Sequence, residues 1–324
     1  MDEFELIRRF FATAHCALHG EGQGVVLGIG DDCALLELAA GQQLAVSTDT
    51  LVAGVHFPAV CDPSLLGQRA LAVAASDLAA MGAKAIGFTL ALTLPEVDAQ
   101  WLKGFSEGLS RAAHRCRMSL IGGDTTRGPL SLTLTVFGQV PAGKALRRDG
   151  ARPGDLLCVG DTLGAAAGAL PLVLGEHEAP PELARVLLGR YWAPMPQLTL
   201  GQWLLGHASA ALDISDGLLA DCGHIAKASG VALEVNQHQV PVSTELEALL
   251  GRDAAIQAAL TGGDDYVLAF TIAPAALQAL VLPGFLRVHV IGRVLEGQGV
   301  VLRDRQGHDV TPLQRGYQHF RETP

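Results

Sequence analysis

Gly28-Ile-Gly-Asp-Asp-Cys-Ala34 follows directly on the apolar run Val25-Val-Leu27, so a short strand ends in a Gly-x-Gly turn that presents two adjacent carboxylates. The same grammar returns four times, as Ser47-Thr-Asp49, Gly122-Gly-Asp-Thr125, Asp213-Ile-Ser-Asp-Gly217 and Gly262-Gly-Asp-Asp265. Small residues beside Asp at the ends of apolar strands let backbone and carboxylate come close to a bound group. Any one such turn could simply face its Asp residues to water. Their recurrence at strand and helix ends points instead to one site that holds phosphates through divalent metal.

Composition narrows the field. The chain has 324 residues, 49% of them hydrophobic and 17% charged, enough for two folded domains with cores of their own. No apolar run reaches the roughly 18 residues of a membrane span. The start, Met1-Asp-Glu-Phe-Glu5, lacks a signal-peptide pattern. Six Cys occur with no C-x-x-C pair, which disfavours a zinc ribbon or a disulfide scaffold and makes the cytoplasm the expected location. A net charge of -10 argues against nucleic acid. It also means that phosphate binding needs metal ions or local Arg.

Along the chain, Phe4, Ile7, Phe10, Phe11 and Ala14 predict a helix over 3–18. The Gly-rich loop at 20–24 lacks the order and the setting of a dinucleotide fingerprint. Strands are predicted at 25–29 and 44–49. Asp62-Pro-Ser64 opens a helix to about residue 81. Asp77 lies on its apolar face among Val73, Ala74, Ala80 and Met81, so it reaches a metal or the helix sits differently. A strand at 87–94, a helix at 95–117 and an alternating strand at 130–140 follow. The stretch Gly138 to Ala145 nearly fits a Walker A loop but ends in Ala145, where a metal-binding hydroxyl is needed.

Arg147 to Pro153 is polar and turn-rich, which sets the expected domains at 1–146 and 147–324. Arg147 and Arg148 are linker charges or a phosphate clamp. The second half predicts strands at 156–159, 210–215, 231–235, 258–260, 267–272 and 288–291, and helices at 182–191, 197–206 and from Asp216 to Ile225, with Ser215 as a cap. The expected fold class is α/β, of α+β type, with two related domains around a cleft.

Asp32, Asp49, Asp77, Asp124, Asp213 and Asp216 come from six segments. Brought together they repel by about 4 kcal/mol per pair at ~4 Å and an effective dielectric of ~20. Bound cations would offset that. Oxygen donors without a Cys/His cluster select Mg²⁺, Ca²⁺ or Mn²⁺ over zinc. Positioning and charge neutralisation supply most of the catalysis in phosphoryl transfer, so no dedicated base is required when the acceptor is an ionised phosphate.

Together these turns, with Ser47-Thr-Asp-Thr-Leu-Val52, His56-Phe57, Ser76-Asp-Leu-Ala-Ala-Met-Gly82 and Ile121-Gly-Gly-Asp-Thr-Thr-Arg-Gly128, resemble the thiamine-monophosphate kinase family over nearly the whole chain. Single motifs are shared with aminoimidazole ribonucleotide synthetase and selenophosphate synthetase. The resemblance implies ATP-dependent phosphorylation of thiamine monophosphate, several Mg²⁺ ions, and a homodimer formed through the N-terminal domain sheets. It implies Asp32, Ser47, Thr48, Asp49, Asp77, Asp124, Asp213 and Asp216 as metal ligands. Gly123, Asp124, Arg148 and Ser215 would contact ATP, and His56, Asp264 and Tyr317 the thiamine substrate. Asp264 stands where the family usually has Glu, and Ala193 and Gln197 where it has Arg. The alternatives are a sibling ATP-dependent synthetase, which Cys16 without an adjacent Lys counts against, and a non-catalytic Mg²⁺- or Ca²⁺-binding module.

Overall fold

The computed structural model describes residues 3–17 and 24–317. The predicted loop at 20–24 therefore lies outside the described residues except for Gly24, and the aromatic tail is described only to Tyr317. Two compact units emerge. The first comprises Met1–Leu78, Ala83–Lys144 and Trp192–Leu198; the second comprises Ala79–Gly82, Ala145–Tyr191 and Thr199–Pro324. No helix among the described residues is long and apolar enough to cross a membrane.

The first unit opens with α1 (Glu3–Leu6), which widens into a π-helical segment, Ile7–Ala12. A single α-helix over 3–18 was expected. Leu6, Phe10 and Phe11 are all buried, a spacing of four and five residues that a wider helical turn places on one side better than a 3.6-residue period does. A short antiparallel pair follows, β1 (Val25–Leu27) and β2 (Leu35–Leu36), enclosing the Gly28 to Ala34 turn. Then come β3 (Gln42–Val52), α2 (Pro63–Ala80), β4 (Lys84–Leu94), α3 (Ala99–Cys116), β5 (Ser119–Arg127) and β6 (Ser131–Pro141). Four of these strands form a sheet in the order β3-β6-β4-β5, antiparallel except for the β4/β5 pair.

Side-chain alternation sorts the two faces of that sheet. Leu132, Leu134 and Val136 of β6 are completely buried on one. On the other, the Thr48 and Thr50 hydroxyls pair with those of Thr135 and Thr133, each at 2.9 Å. Beside them Leu44 and Val46 stay 46% and 53% exposed. The β1-β2 pair packs its Val25 with Ile86, Ile121 and Phe137.

Caps explain where the helices start. Asp62 Oδ1 accepts the N–H groups of Ser64 (2.7 Å) and Leu65 (3.2 Å) at the head of α2. Asp98 does the same for Gln100 (2.8 Å) and Trp101 (3.1 Å) at α3. α3 buries Leu102, Phe105, Leu109 and Ala113 on one side, and Trp101 stacks on Phe105 with ring centroids 5.1 Å apart.

The second unit runs β7 (Leu156–Val159), α4 (Ala165–Val173), α5 (Pro181–Trp192), α6 (Leu198–Leu204), β8 (Ala208–Asp213), α7 (Leu218–Ser229), β9 (Ala232–Asn236), α8 (Thr244–Leu250), α9 (Arg252–Thr261), β10 (Leu268–Ile272), α10 (Pro274–Ala279), β11 (His289–Leu295) and β12 (Gly299–Arg303). Its six-stranded sheet has the order β12-β9-β11-β7-β10-β8. Leu157, Val159, Leu212, Leu233 and Ile291 meet Leu218, Leu219 and Ile225 of α7 and Leu260 of α9 in one core. The expected strand at 258–260 is the end of α9. Ala258-Ala-Leu260 lacks β-branched residues, and Ala255, Ile256, Ala259 and Leu260 bury at helical spacing. No helix follows the near-Walker stretch: Lys144 closes a turn.

Helices α2 and α3 touch backbone to backbone where Gly108 faces Ser64: a Cβ at Gly108 would stand 1.9 Å from the Ser64 carbonyl oxygen. Gly108→Ala is expected to cost about 1–3 kcal/mol by forcing the helices apart. Urea unfolding checks this; an unchanged midpoint would show that the contact is loose.

Candidate functional site

The Gly28 to Ala34 turn does not hang free. Together with Gly122, Gly123, Asp124 and Thr125 of β5 it lines a cavity of about 880 Å³, walled also by Thr89, Leu90, Leu120 and Ile121, and by Ile7, Arg8, Phe11 and Ala12. Asp31, Asp32 and Asp124 are all exposed there, with Asp31 Oδ1 accepting the Asp32 N–H at 2.8 Å. Gly123 has φ +154, and a Cβ on it would sit 2.0 Å from the Leu90 carbonyl oxygen of β4. Only glycine lets β5 run this close to β4 and turn Asp124 outward.

On β3 the expected ligands part company. Ser47 and Asp49 are half-buried and share one face; Thr48 is on the other. Ser47 Oγ donates to Asp77 Oδ2, which ties β3 to α2. Asp77 is half-buried with the Ser47 hydroxyl as its partner. Thr48 Oγ1 hydrogen-bonds Thr135 on the face away from Ser47 and Asp49, so on their side of the strand Thr48 offers its main chain. His56 lies in the turn after β3. Its Nδ1 accepts the Val52 N–H at 3.0 Å, which places the imidazole proton on Nε2 as a donor. The His56 carbonyl accepts from buried Arg69 at 3.5 Å.

The second unit stitches its two acidic turns together. Asp264 N–H donates to the Ser215 carbonyl (2.9 Å), Tyr266 N–H to the Ile214 carbonyl (2.8 Å) and Tyr317 N–H to the Asp216 carbonyl (2.9 Å). Asp213, at the end of β8, is buried, Asp216 is half-buried and Ser215 is exposed. Ser215, Asp216, Asp264 and Tyr317 are thus neighbours in space. Asp264 and Tyr266 both take positive φ, +71 and +51, and the Tyr266 hydroxyl donates to Asp264 Oδ1 at 2.9 Å. Such strain in non-glycine residues is characteristic of functional loops. Arg148 is exposed, and its carbonyl accepts from Ser229 Oγ, whereas Arg147 pairs with Asp149 at 2.6 Å.

Ser215 does not cap α7. The cap position is Gly217, and the exposed N–H groups are taken by a residue that sequence reasoning missed. Asp221 Oδ2 accepts from the N–H of Ser215, Asp216 and Gly217, each at 3.0 Å. Burial pushes its carboxyl up to about 7, and Asp216 and Asp213 add to that shift against the opposing pull of those N–H bonds. Asp265, also missed, accepts the Gly164 N–H with both oxygens at 3.0 and 2.8 Å. Neither role is visible in a linear motif, although an acidic residue in the first turn after Asp-Gly is the cue for Asp221.

Among the described residues no group of three or more His, Cys, Asp or Glu side chains could hold a metal ion by itself. The acidic groups are set out in pairs and singles. Mg²⁺ suits this arrangement, because it takes one or two carboxylates and completes its shell with water and substrate phosphates. Cys16 is buried, and burial raises its thiol pKa, unlike the reactive cysteine that a selenophosphate-type reaction would use.

The AIR synthase related protein families match the chain in two parts, the N-terminal domain at residues 30–140 and the C-terminal domain at 152–305. Thiamine-monophosphate kinase of Salmonella typhimurium is 46% identical over 98% of both chains. The crystal structure of thiamine-monophosphate kinase from Stenotrophomonas maltophilia is 48% identical with a TM-score of 0.82, covering 87% of this chain and 92% of that one. The structure of AaThiL complexed with AMPPCP and TMP is 32% identical with a TM-score of 0.78, covering 87% and 89%.

Burial, first, and then Asp264 raise the Asp265 carboxyl to about 7, against the lowering by the Gly164 N–H and Arg190. The folded chain therefore holds this proton where the unfolded chain has lost it. The favourable contribution is full below pH ~4 and disappears as pH rises to ~7. Asp265→Asn is expected to flatten the fall in stability across that window, measured by urea unfolding at several pH values. An unchanged slope would mean that Asp265 is ionised throughout.

Proposed function

The chain belongs to the thiamine-monophosphate kinase family, and on that footing we propose that it moves the γ-phosphoryl group of ATP onto the phosphate of thiamine monophosphate. An oxygen of the acceptor phosphate forms the new bond to the γ-phosphorus in line, the bond to ADP breaks, and thiamine diphosphate results without a phospho-enzyme. The observation that carries this reading is the cavity between the Gly28 to Ala34 turn and Gly122 to Thr125. It is of ligand size, and glycine backbone and carboxylates line it side by side.

Several Mg²⁺ ions fit the donor chemistry. Asp32, Ser47, Asp49, Asp77, Asp124, Asp213, Asp216 and the Thr48 main chain would hold them, and bound there they would neutralise triphosphate charge. Gly123, Asp124, Arg148 and Ser215 bind ATP. His56, through its Nε2 proton, binds the thiamine substrate with Asp264 and Tyr317. No residue need act as base, because the attacking phosphate is already ionised.

We assign residues 1–146 to metal and ATP binding and to dimerisation, and 147–324 to completing the active site. The homodimer forms through the outer face of the β3-β6-β4-β5 sheet, where Leu44 and Val46 flank the Thr48 and Thr50 hydroxyls. A charge on that face is expected to part the subunits. Val46→Glu should halve the mass measured by light scattering; a mass equal to that of the parent would place the interface elsewhere.

Incubation with ATP, Mg²⁺ and thiamine monophosphate should yield thiamine diphosphate. Asp49→Asn is expected to lower that rate about a hundredfold or more with circular dichroism unchanged. Near-parental turnover would remove Asp49 from the site.

A further inference from the structure

We infer that Arg8, carried on the π-helical segment, is a phosphate-binding cation of the nucleotide site; this rests on the kinase reading above. Arg8 is the one cationic side chain among the described residues that line the cavity, which also include Asp31, Asp32 and Asp124. It is exposed, and it makes no ion pair or hydrogen bond with those carboxylates among the described residues. A guanidinium at the wall of an acidic cavity, paired with none of the acids, is available for an anion that enters. Its planar fork suits two phosphate oxygens at once.

The backbone places it there. Ile7, Arg8, Phe11 and Ala12 all line the cavity, while Phe10 lies outside that set and is buried under Arg9, whose guanidinium carbon sits 5.3 Å from its ring. Positions 7 and 8 stand three to five residues before 11 and 12, one turn of the helical segment, so these four share one wall. Ile7 and Phe11 with Leu120 and Ile121 make that wall apolar, and Arg8 with the Gly turns makes it polar. A ligand with a ring at one end and phosphate at the other matches this division, and because Gly123 and Asp124, the proposed ATP contacts, line the same cavity, Arg8 is assigned to the triphosphate rather than to the thiamine substrate.

Steady-state kinetics of Arg8→Ala and Arg8→Lys test this, alongside titration of each protein with Mg²⁺ and a non-hydrolysable ATP analogue. Arg8→Ala should raise KM for ATP about tenfold, the scale of one lost charge-assisted hydrogen bond. KM for thiamine monophosphate should shift less than twofold, and Arg8→Lys should recover part of the loss. In an active enzyme, an unchanged KM for ATP, or a shift confined to thiamine monophosphate, overturns the assignment and leaves the kinase reading standing. A parent chain that neither binds the analogue nor turns over overturns both.

Discussion

Carboxylates placed next to one another repel, and in a chain of net charge -10 nothing in the overall field relieves them. The acidic stretches meet this constraint with backbone. Three N–H groups converge on Asp221 and hold the Ser215-Asp-Gly217 turn in shape, so that Asp213 and Asp216 are fixed close together. Glycine does the corresponding work at Gly123, where β5 passes too near Leu90 for any side chain. The fold fixes the acidic groups before any ligand is bound. What the backbone cannot supply is positive charge; in the function proposed above it comes from divalent metal, with Arg8 and Arg148 as local additions.

That division of labour explains why no general base is sought. The acceptor in this reaction class already carries its negative charge, so the protein's task is to bring two anions together. His56 Nδ1 accepts the Val52 N–H, which in the neutral ring puts the proton on Nε2. Asp264 is held in a strained left-handed conformation, with the Tyr266 hydroxyl on one oxygen.

Much of this was legible in the sequence wherever period and punctuation agree. β6 alternates and α3 is a helix as read, and the turns at Gly28 to Ala34 and Asp213 to Gly217 stand at strand ends, whereas Ser47-Thr-Asp49 and Gly122 to Thr125 lie inside β3 and β5 and Gly262 to Asp265 follows α9. The failures have physical causes. Ala258-Ala-Leu260 is too short and too plain to reveal its period, and tertiary packing makes it helix. Phe10-Phe11 looks like part of an α stripe, yet burying both selects the wider π turn. The placement of the Thr48 hydroxyl on the face opposite Asp49, toward Thr135, follows from strand alternation. Asp221, Asp265 and Arg8 escape notice because their roles depend on contacts across four to about a hundred residues.

Nucleotide affinity with and without divalent metal tests the central claim most directly. Calorimetric titration with a non-hydrolysable ATP analogue should give binding in Mg²⁺ that weakens about a hundredfold or more in excess chelator, as expected when repulsion between triphosphate and fixed carboxylates is no longer offset. Equal affinity in the two conditions would contradict it, because the acidic turns would then be holding the nucleotide without the cations that their charge requires.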